Sequence, residues 1–364
     1  MTKTKIIIVT PFYQPYPAGI SSYFQSLVKS LSDRVDFTIL TTSLPNQKRD
    51  EIKNNCLILR LIPNVIKSSI LLRIPVLTTT VFYQLARLNS RERPAAIHVH
   101  SSTAMTLGAS IYSLLWGTPL IMEVQDIMAP GWLLRMGRVK KYIATGQTVR
   151  KRLESMGIKS DKIVTIYSLP PSNIKEITMM TKSEQTVKCL YVGELNTDVK
   201  GLDTLLESFK EAQQQFPDLT LKMIGEGPDK NFCLDYIDRF NLKKKISLTG
   251  GLGRSATLQE MAACDILILA SRSEGVPRVI LEAFYFEKAV IASSVGGIVD
   301  VIDHQKTGLL FRVNNNEQLT THIITLARDE SQRRLLGQNG KAFLDSLGNW
   351  PEIAQKVFDS YQAN

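Results

Sequence analysis

Histidine and cysteine are both scarce, four of each in 364 residues. Cys56, Cys189, Cys233 and Cys264 are widely scattered, with no C-x-x-C and no metal-ligand spacing. That excludes a disulfide framework or a zinc module and reads as buried thiols in a reducing compartment. No Asp-x-Asp occurs, and no metal or other cofactor is expected. No G-x-G-x-x-G follows the first strand of either half, which argues against a nicotinamide dehydrogenase. Long apolar runs are missing too. The start, MTKTKIIIVTP, is too short for a signal peptide and reads as a first strand. The uncharged stretch Ser101–Met122 is long enough to span a bilayer, but Gly117-Thr118-Pro119 divides it into helix, turn and strand. The expectation is a cytoplasmic protein.

What is present suits an ordinary globular chain: 44% hydrophobic and 21% charged residues. The length suits two domains. The net charge of +10 is uneven. Residues 1–185 hold 24 Lys+Arg against 11 Asp+Glu, and residues 186–364 hold 20 against 23. The first half therefore expects an anionic partner. Residues 64–88 mix Lys67, Arg73 and Arg87 with apolar runs, which suits either anionic lipid at the inner face of the cell membrane or a plain surface helix with snorkelling cations. Nucleic acid is not expected.

Strand and helix patterns alternate in both halves, so the fold class is α/β, with two doubly wound Rossmann-like domains facing a central cleft. Residues 1–168 make the first domain, 169–186 a linker with two prolines, 187–348 the second domain, and 349–364 a helix crossing back to the first. His98 and His100 end a strand and are expected to face opposite ways, unable to share a metal.

The organising stretch is 265–297. A buried strand, Ile266–Ala270, runs into a polar turn, and a helix follows from about Pro277. A second strand, Ala289–Ala292, leads to Gly296-Gly297. Glu274 falls in the first loop and Glu282 on the helix. The amides of residues 275–278 lie at a helix start, which favours an anion. Carboxylates accept hydrogen bonds from paired hydroxyls, so the combination fits a sugar nucleotide. It fits equally well a stabilising charge at a helix start and a solvated face.

S-R-S-E-G-V-P-R-V-I-L-E-A-F resembles the E-x7-E signature of the retaining GT-B glycosyltransferases of the family 4 group, and the likeness covers nearly the whole chain. It implies transfer of a hexose from a nucleoside diphosphate sugar to a hydroxyl of a lipid-linked or glycan acceptor. The implied catalytic residues are Glu274, Lys200 and His100. The implied donor residues are Gly19, Leu252, Gly275, Val276, Pro277, Arg278, Val279, Glu282, Gly296 and Gly297. Tyr23, Gln125 and Asp126 are implied on the acceptor side. The chain departs from the pattern at Ala18-Gly19, where the family has Gly-Gly, and at Gln125, where a histidine or arginine is usual. Glu194 stands in place of an arginine, so either it points away, or Arg254, Arg272 or Arg278 offsets its charge, or activity is impaired. An epimerase of the same fold and a catalytically silent sugar-nucleotide-binding protein are the rival readings.

Overall fold

The computed structural model describes residues 3–15, 19–65, 69–90, 93–100, 103–125, 130–171, 174, 177 and 186–362. The chain forms two compact units, residues 1–168 with 349–364, and residues 169–348. The stretch 169–186 lies mostly outside the described residues.

In chain order the first unit contains β1 (Thr4–Val9), α1 (Gly19–Leu31), β2 (Val35–Thr42), β3 (Asp50–Lys53), β4 (Cys56–Ile62), α2 (Ile70–Asn89) and β5 (Ala96–His100). Then come α3 (Thr103–Trp116), β6 (Leu120–Val124), α4 (Gly131–Leu134), β7 (Val139–Ala144), α5 (Gln147–Ser155) and β8 (Ile163–Thr165). Among the described residues the sheet order is β3-β4-β2-β1-β5-β6-β7-β8. Every pairing is parallel except β3–β4. Parallel strands need crossover helices and bury both faces, which is why β6 reads as an unbroken apolar run apart from Glu123. Helix α1 buries Ile20, Tyr23, Phe24, Leu27, Val28 and Leu31, the i, i+3, i+4 stripe of an amphipathic helix. Helices α2 and α3 pack closely because Gly108 leaves room for the Thr78 carbonyl, 2.5 Å from where a Cβ would stand.

The second unit contains β9 (Val187–Val192), α6 (Thr197–Lys200), α7 (Leu202–Gln215), β10 (Leu219–Ile224), α8 (Lys230–Arg239) and β11 (Ile246–Gly250). It continues through α9 (Arg254–Ala263), β12 (Ile266–Leu269), α10 (Arg278–Tyr285), β13 (Ala289–Ser293), β14 (Leu309–Phe311), α11 (Asn316–Arg328) and α12 (Glu330–Ser346). Its sheet is parallel, in the order β11-β10-β9-β12-β13-β14. The last helix, α13 (Trp350–Gln362), belongs to the first unit and packs on α1. The rings of Trp350 and Tyr23 are 5.7 Å apart, and the Arg34 guanidinium lies 3.7 Å over Phe358.

In each sheet the strand order reverses once, between β1 and β5 and between β9 and β12. Ligands of open α/β sheets bind at the carboxyl ends of the strands at such a reversal. Among the described residues no helix is long and apolar enough to cross a membrane. On α2, Leu71, Leu72 and Tyr83 are exposed, while Lys67 lies outside the described residues. Part of the basic stretch 135–152 is committed to structure: Lys140 and Lys141 donate to the carbonyls of Tyr361 and Asp161.

Candidate functional site

At the β9/β12 reversal, two chain segments meet through named side chains. Helix α6 ends at Lys200, and its Nζ donates to Glu274 Oε1 at 2.6 Å. Gly201 makes that ending possible. Its φ of 59° is left-handed, and a Cβ there would lie 2.1 Å from the Ala270 carbonyl. Ser271, fully buried at the end of β12, donates to the same Glu274 oxygen at 2.8 Å, and Ser293 Oγ donates to the Ser271 carbonyl. Glu274 is thus held by two donors on Oε1.

Arg272 is a stitch rather than a free cation. Its Nη2 reaches both Asp203 oxygens at 2.9 and 2.7 Å, Nε donates to Asn314 at 2.8 Å, and Nη1 to the Thr197 carbonyl. This ties the α6–α7 corner to the loop that carries Glu274. Gly296, with φ +49°, sits where a Cβ would be 1.9 Å from the Glu274 carbonyl. The Gly297 amide donates to that carbonyl at 3.2 Å, and a Cβ on Gly297 would meet Gly275 at 2.7 Å. The glycine pair therefore lets two loops touch backbone to backbone. Gly275 and Val276 continue from Glu274 to Pro277, the residue preceding α10, and Arg278 and Val279 are the first residues of that helix.

Glu282 is not a solvated face residue. It is 1% exposed, and Arg254, the first residue of α9, reaches both of its oxygens: Nη1 to Oε2 at 3.2 Å, and Nη2 to Oε1. Arg254 and Arg272 thus both have carboxylate partners, so neither is a spare cation for Glu194. The Glu194 side chain is exposed and makes no ion pair among the described residues. Leu252 is half-buried in the turn between β11 and α9, where Glu226 accepts from the Gly251 amide at 3.2 Å.

In the first unit the β5 and β6 ends gather a buried polar cluster. His98 Nδ1 lies 2.8 Å from Tyr361 Oη, His98 Nε2 3.3 Å from Glu123 Oε2, and His100 Nδ1 4.0 Å from Glu123 Oε1. Gln125 donates to Glu123 Oε1 at 2.8 Å. The expectation that the two histidines face apart is overturned. Residues two apart along a strand share a face, and both rings turn toward Glu123. Among the described residues no group of three His, Cys, Asp or Glu side chains has metal-holding geometry. The Tyr23 ring is buried between Phe24 and Trp350 and takes part in the α1–α13 packing. Gly19 opens α1, while Ala18 and Asp126 lie outside the described residues.

Burial would push the Glu123 carboxyl up, but contact with His98 and the charge of His100, with the Gln125 hydrogen bond, outweigh it and hold it below the usual carboxylate range. A lowered folded value contributes stability above the unfolded carboxyl's 4.5, lost as pH falls through the folded value. Glu123→Gln is expected to flatten the acid limb of a thermal-unfolding profile below about pH 4.5. An acid limb identical to that of the wild type would refute this account.

The sequence reading did not single out Ser271, Ser293, Asp203 or Glu123. Ser293, Asp203 and Glu123 act through Ser271, Arg272 and His98, all distant in the chain, and Ser271 meets Glu274, three residues on, only because of the turn between them.

The chain has known relatives. Residues 17–168 match the family model described as Glycosyltransferase Family 4, and residues 175–343 match Glycosyl transferases group 1. An uncharacterized glycosyltransferase of Methanocaldococcus jannaschii is 26% identical over 98% of this chain and 97% of its own. A sulfoquinovosyl transferase of Arabidopsis thaliana is 23% identical over 96% of this chain and 72% of its own. Sucrose-phosphate synthase of Thermosynechococcus elongatus superposes with a TM-score of 0.80 at 17% identity, covering 99% of this chain and 98% of that one. An Anabaena protein solved in complex with UDP-glucose superposes with a TM-score of 0.76 at 18% identity, covering 99% and 100%. These superpositions show the fold alone.

Proposed function

We propose, from the premise that this chain belongs to the GT-B glycosyltransferases of the family 4 type, that it transfers a hexose from a nucleoside diphosphate sugar to a hydroxyl with retention at the anomeric carbon. The observation that carries the reading is the Lys200–Glu274 pair at the β9/β12 reversal, with Glu282 on the helix that follows. The UDP-glucose held by the Anabaena structure of the same fold supports the donor class.

Each group then has a task. Glu274 keeps Oε2 for a hydroxyl of the donor sugar, since its partners engage Oε1. Glu282 accepts from the ribose hydroxyls. Lys200 and the first turn of α10, with Gly275, Val276, Pro277, Arg278 and Val279 leading into it, take up charge growing on the leaving diphosphate. Lysine and a helix start supply that potential, so the scheme requires no metal. The bond from the anomeric carbon to the phosphate oxygen breaks on the face where the acceptor oxygen bonds, and the leaving phosphate takes the acceptor's proton. His100, at the end of β5, is assigned to the catalytic group, and Gln125, after β6, to the acceptor.

A thermal-shift screen of nucleoside diphosphate sugars tests the donor assignment, because a ligand of the folded state alone raises its apparent stability. One base and one sugar should stand out, and turnover with that donor separates an enzyme from a silent binding protein. No shift with any of them would sink the reading. The acceptor is assigned to a lipid-linked or glycan hydroxyl, on the +13 charge of residues 1–185 and the exposed Leu71, Leu72 and Tyr83. Co-sedimentation with phosphatidylglycerol vesicles at low salt, abolished by about 0.5 M salt, is expected; absence of binding rejects the lipid surface.

A further inference from the structure

Residues 186–364 are acidic on balance, with 20 Lys+Arg against 23 Asp+Glu, yet Lys188, Lys222, Lys243, Lys244 and Lys245 line one hollow of about 250 Å³. The strand register explains how they meet. Thr220 on β10 pairs with Lys188 on β9, and the next pair along, Leu221 with Ile246, puts Lys245 on the other side of Thr220. Neighbouring strands are about 4.8 Å apart, so two lysines flank one hydroxyl in a row across three strands. Lys222 and its partner Ser247 stand two residues further on, hence on the same face. Lys222 pairs with Glu260 of α9 at 2.7 Å, which marks this as the α9 side of the sheet. Lys243 pairs with Asp238 at 3.0 Å, and Lys245 donates to the Pro217 carbonyl. Among the described residues the side chains of Lys188, Lys244 and Thr220 have no partner.

Gathered ammonium groups repel one another, and a bound anion removes that cost. Lysines beside an edge strand also deter pairing with another sheet, which accounts for residues 243–245 next to β11. It does not account for Lys188, half-buried on β9 with β10 and β12 on either side. We infer that the hollow binds a compact phosphorylated solute, such as inorganic diphosphate or a monosaccharide phosphate, through Lys188, Thr220, Lys222 and Lys244. Its volume falls under the roughly 300–1,000 Å³ usual for larger organic ligands, which favours such a solute over a nucleotide. The site lies at the amino ends of β9 and β10, six-residue strands that each span about 20 Å. It is therefore separate from the Lys200–Glu274 pair at the carboxyl ends of β9 and β12, and it does not rest on the donor reading.

The test is titration calorimetry of the full chain with inorganic diphosphate and with glucose 6-phosphate, with phosphatidylglycerol vesicles as the arm for a lipid phosphate. A free solute is expected to bind, and Lys188→Met to weaken it by about tenfold, the scale of one charged hydrogen bond. Lys200→Ala, and Lys356→Met as an exposed charge control on α13, should leave that binding unchanged. In the wild type the solute should also slow reductive methylation of Lys188 and Lys222, read by mass spectrometry, a readout that holds should the variant not fold. Loss of binding in Lys200→Ala but not in Lys188→Met would place the anion at the donor loops and overturn the inference. So would no solute binding up to about 10 mM, a free energy too small for a built site. A dependence on Lys188 seen with vesicles alone would make this a lipid-facing patch and overturn it too.

Discussion

Replacing Lys200 by alanine is expected to lower the turnover number of sugar transfer by about 10²–10³-fold, the usual effect of removing one pre-set donor from a developing negative charge. The cause is the loss of the Lys200 ammonium that the fold brings to Glu274 at the β9/β12 reversal. Lys200 is the last residue of a four-residue helix whose N-cap, Asn196, accepts from the Val199 amide at 3.3 Å. Arg272 also holds this helix by donating to the Thr197 carbonyl. The ammonium therefore arrives in place without searching. The same change leaves Glu274 without its cation, so donor KM should move as well. Steady-state kinetics at saturating acceptor separates the two effects, and a Lys200→Ala enzyme with wild-type turnover would remove lysine from the mechanism.

Gly201→Ala should be among the most damaging single substitutions in the second unit. A left-handed φ costs an alanine about 1–2 kcal/mol. The added Cβ, 2.1 Å from the Ala270 carbonyl, would also force the α6–α7 corner away from the end of β12. Together these should remove at least about 3 kcal/mol, within the range of severe backbone substitutions. For a domain of this size that is a fall in melting temperature of roughly 6–12 °C. Gly253→Ala is the matched control, because a Cβ there meets nothing within 4 Å and the backbone is not left-handed. Circular-dichroism melts of the two variants check the contrast, and equal melting temperatures would refute the close-approach argument.

Strands were the most legible part of the chain. Buried parallel strands are apolar on both faces, so Thr4–Val9, Cys56–Ile62 and Ala289–Ser293 stand out as runs. The strand Asp50–Lys53 was not legible. Its sequence, DEIK, is largely exposed, and it exists because Asn54 and Asn55, at φ 53° and 56°, turn the chain back onto β4. Helix α2 begins at Ile70, ahead of Pro75. Pro75 is the sixth residue of the helix, past the four amides without an intrahelical acceptor, so the helix forgoes one hydrogen bond there.

From its residues alone, the chain determined the alternation of strands and helices, the turn carrying Glu274, and the glycines at 201, 296 and 297. Apolar runs and missing side chains act locally, so they leave a local trace. Which cation meets which carboxylate was decided only by tertiary structure. Lys200 and Glu274 are 74 residues apart and Arg254 and Glu282 are 28 apart. Tyr23, His98 and Glu123 owe their burial to sheet and helix packing around them. Pairing across such separations depends on strand order, and a one-dimensional pattern does not carry strand order.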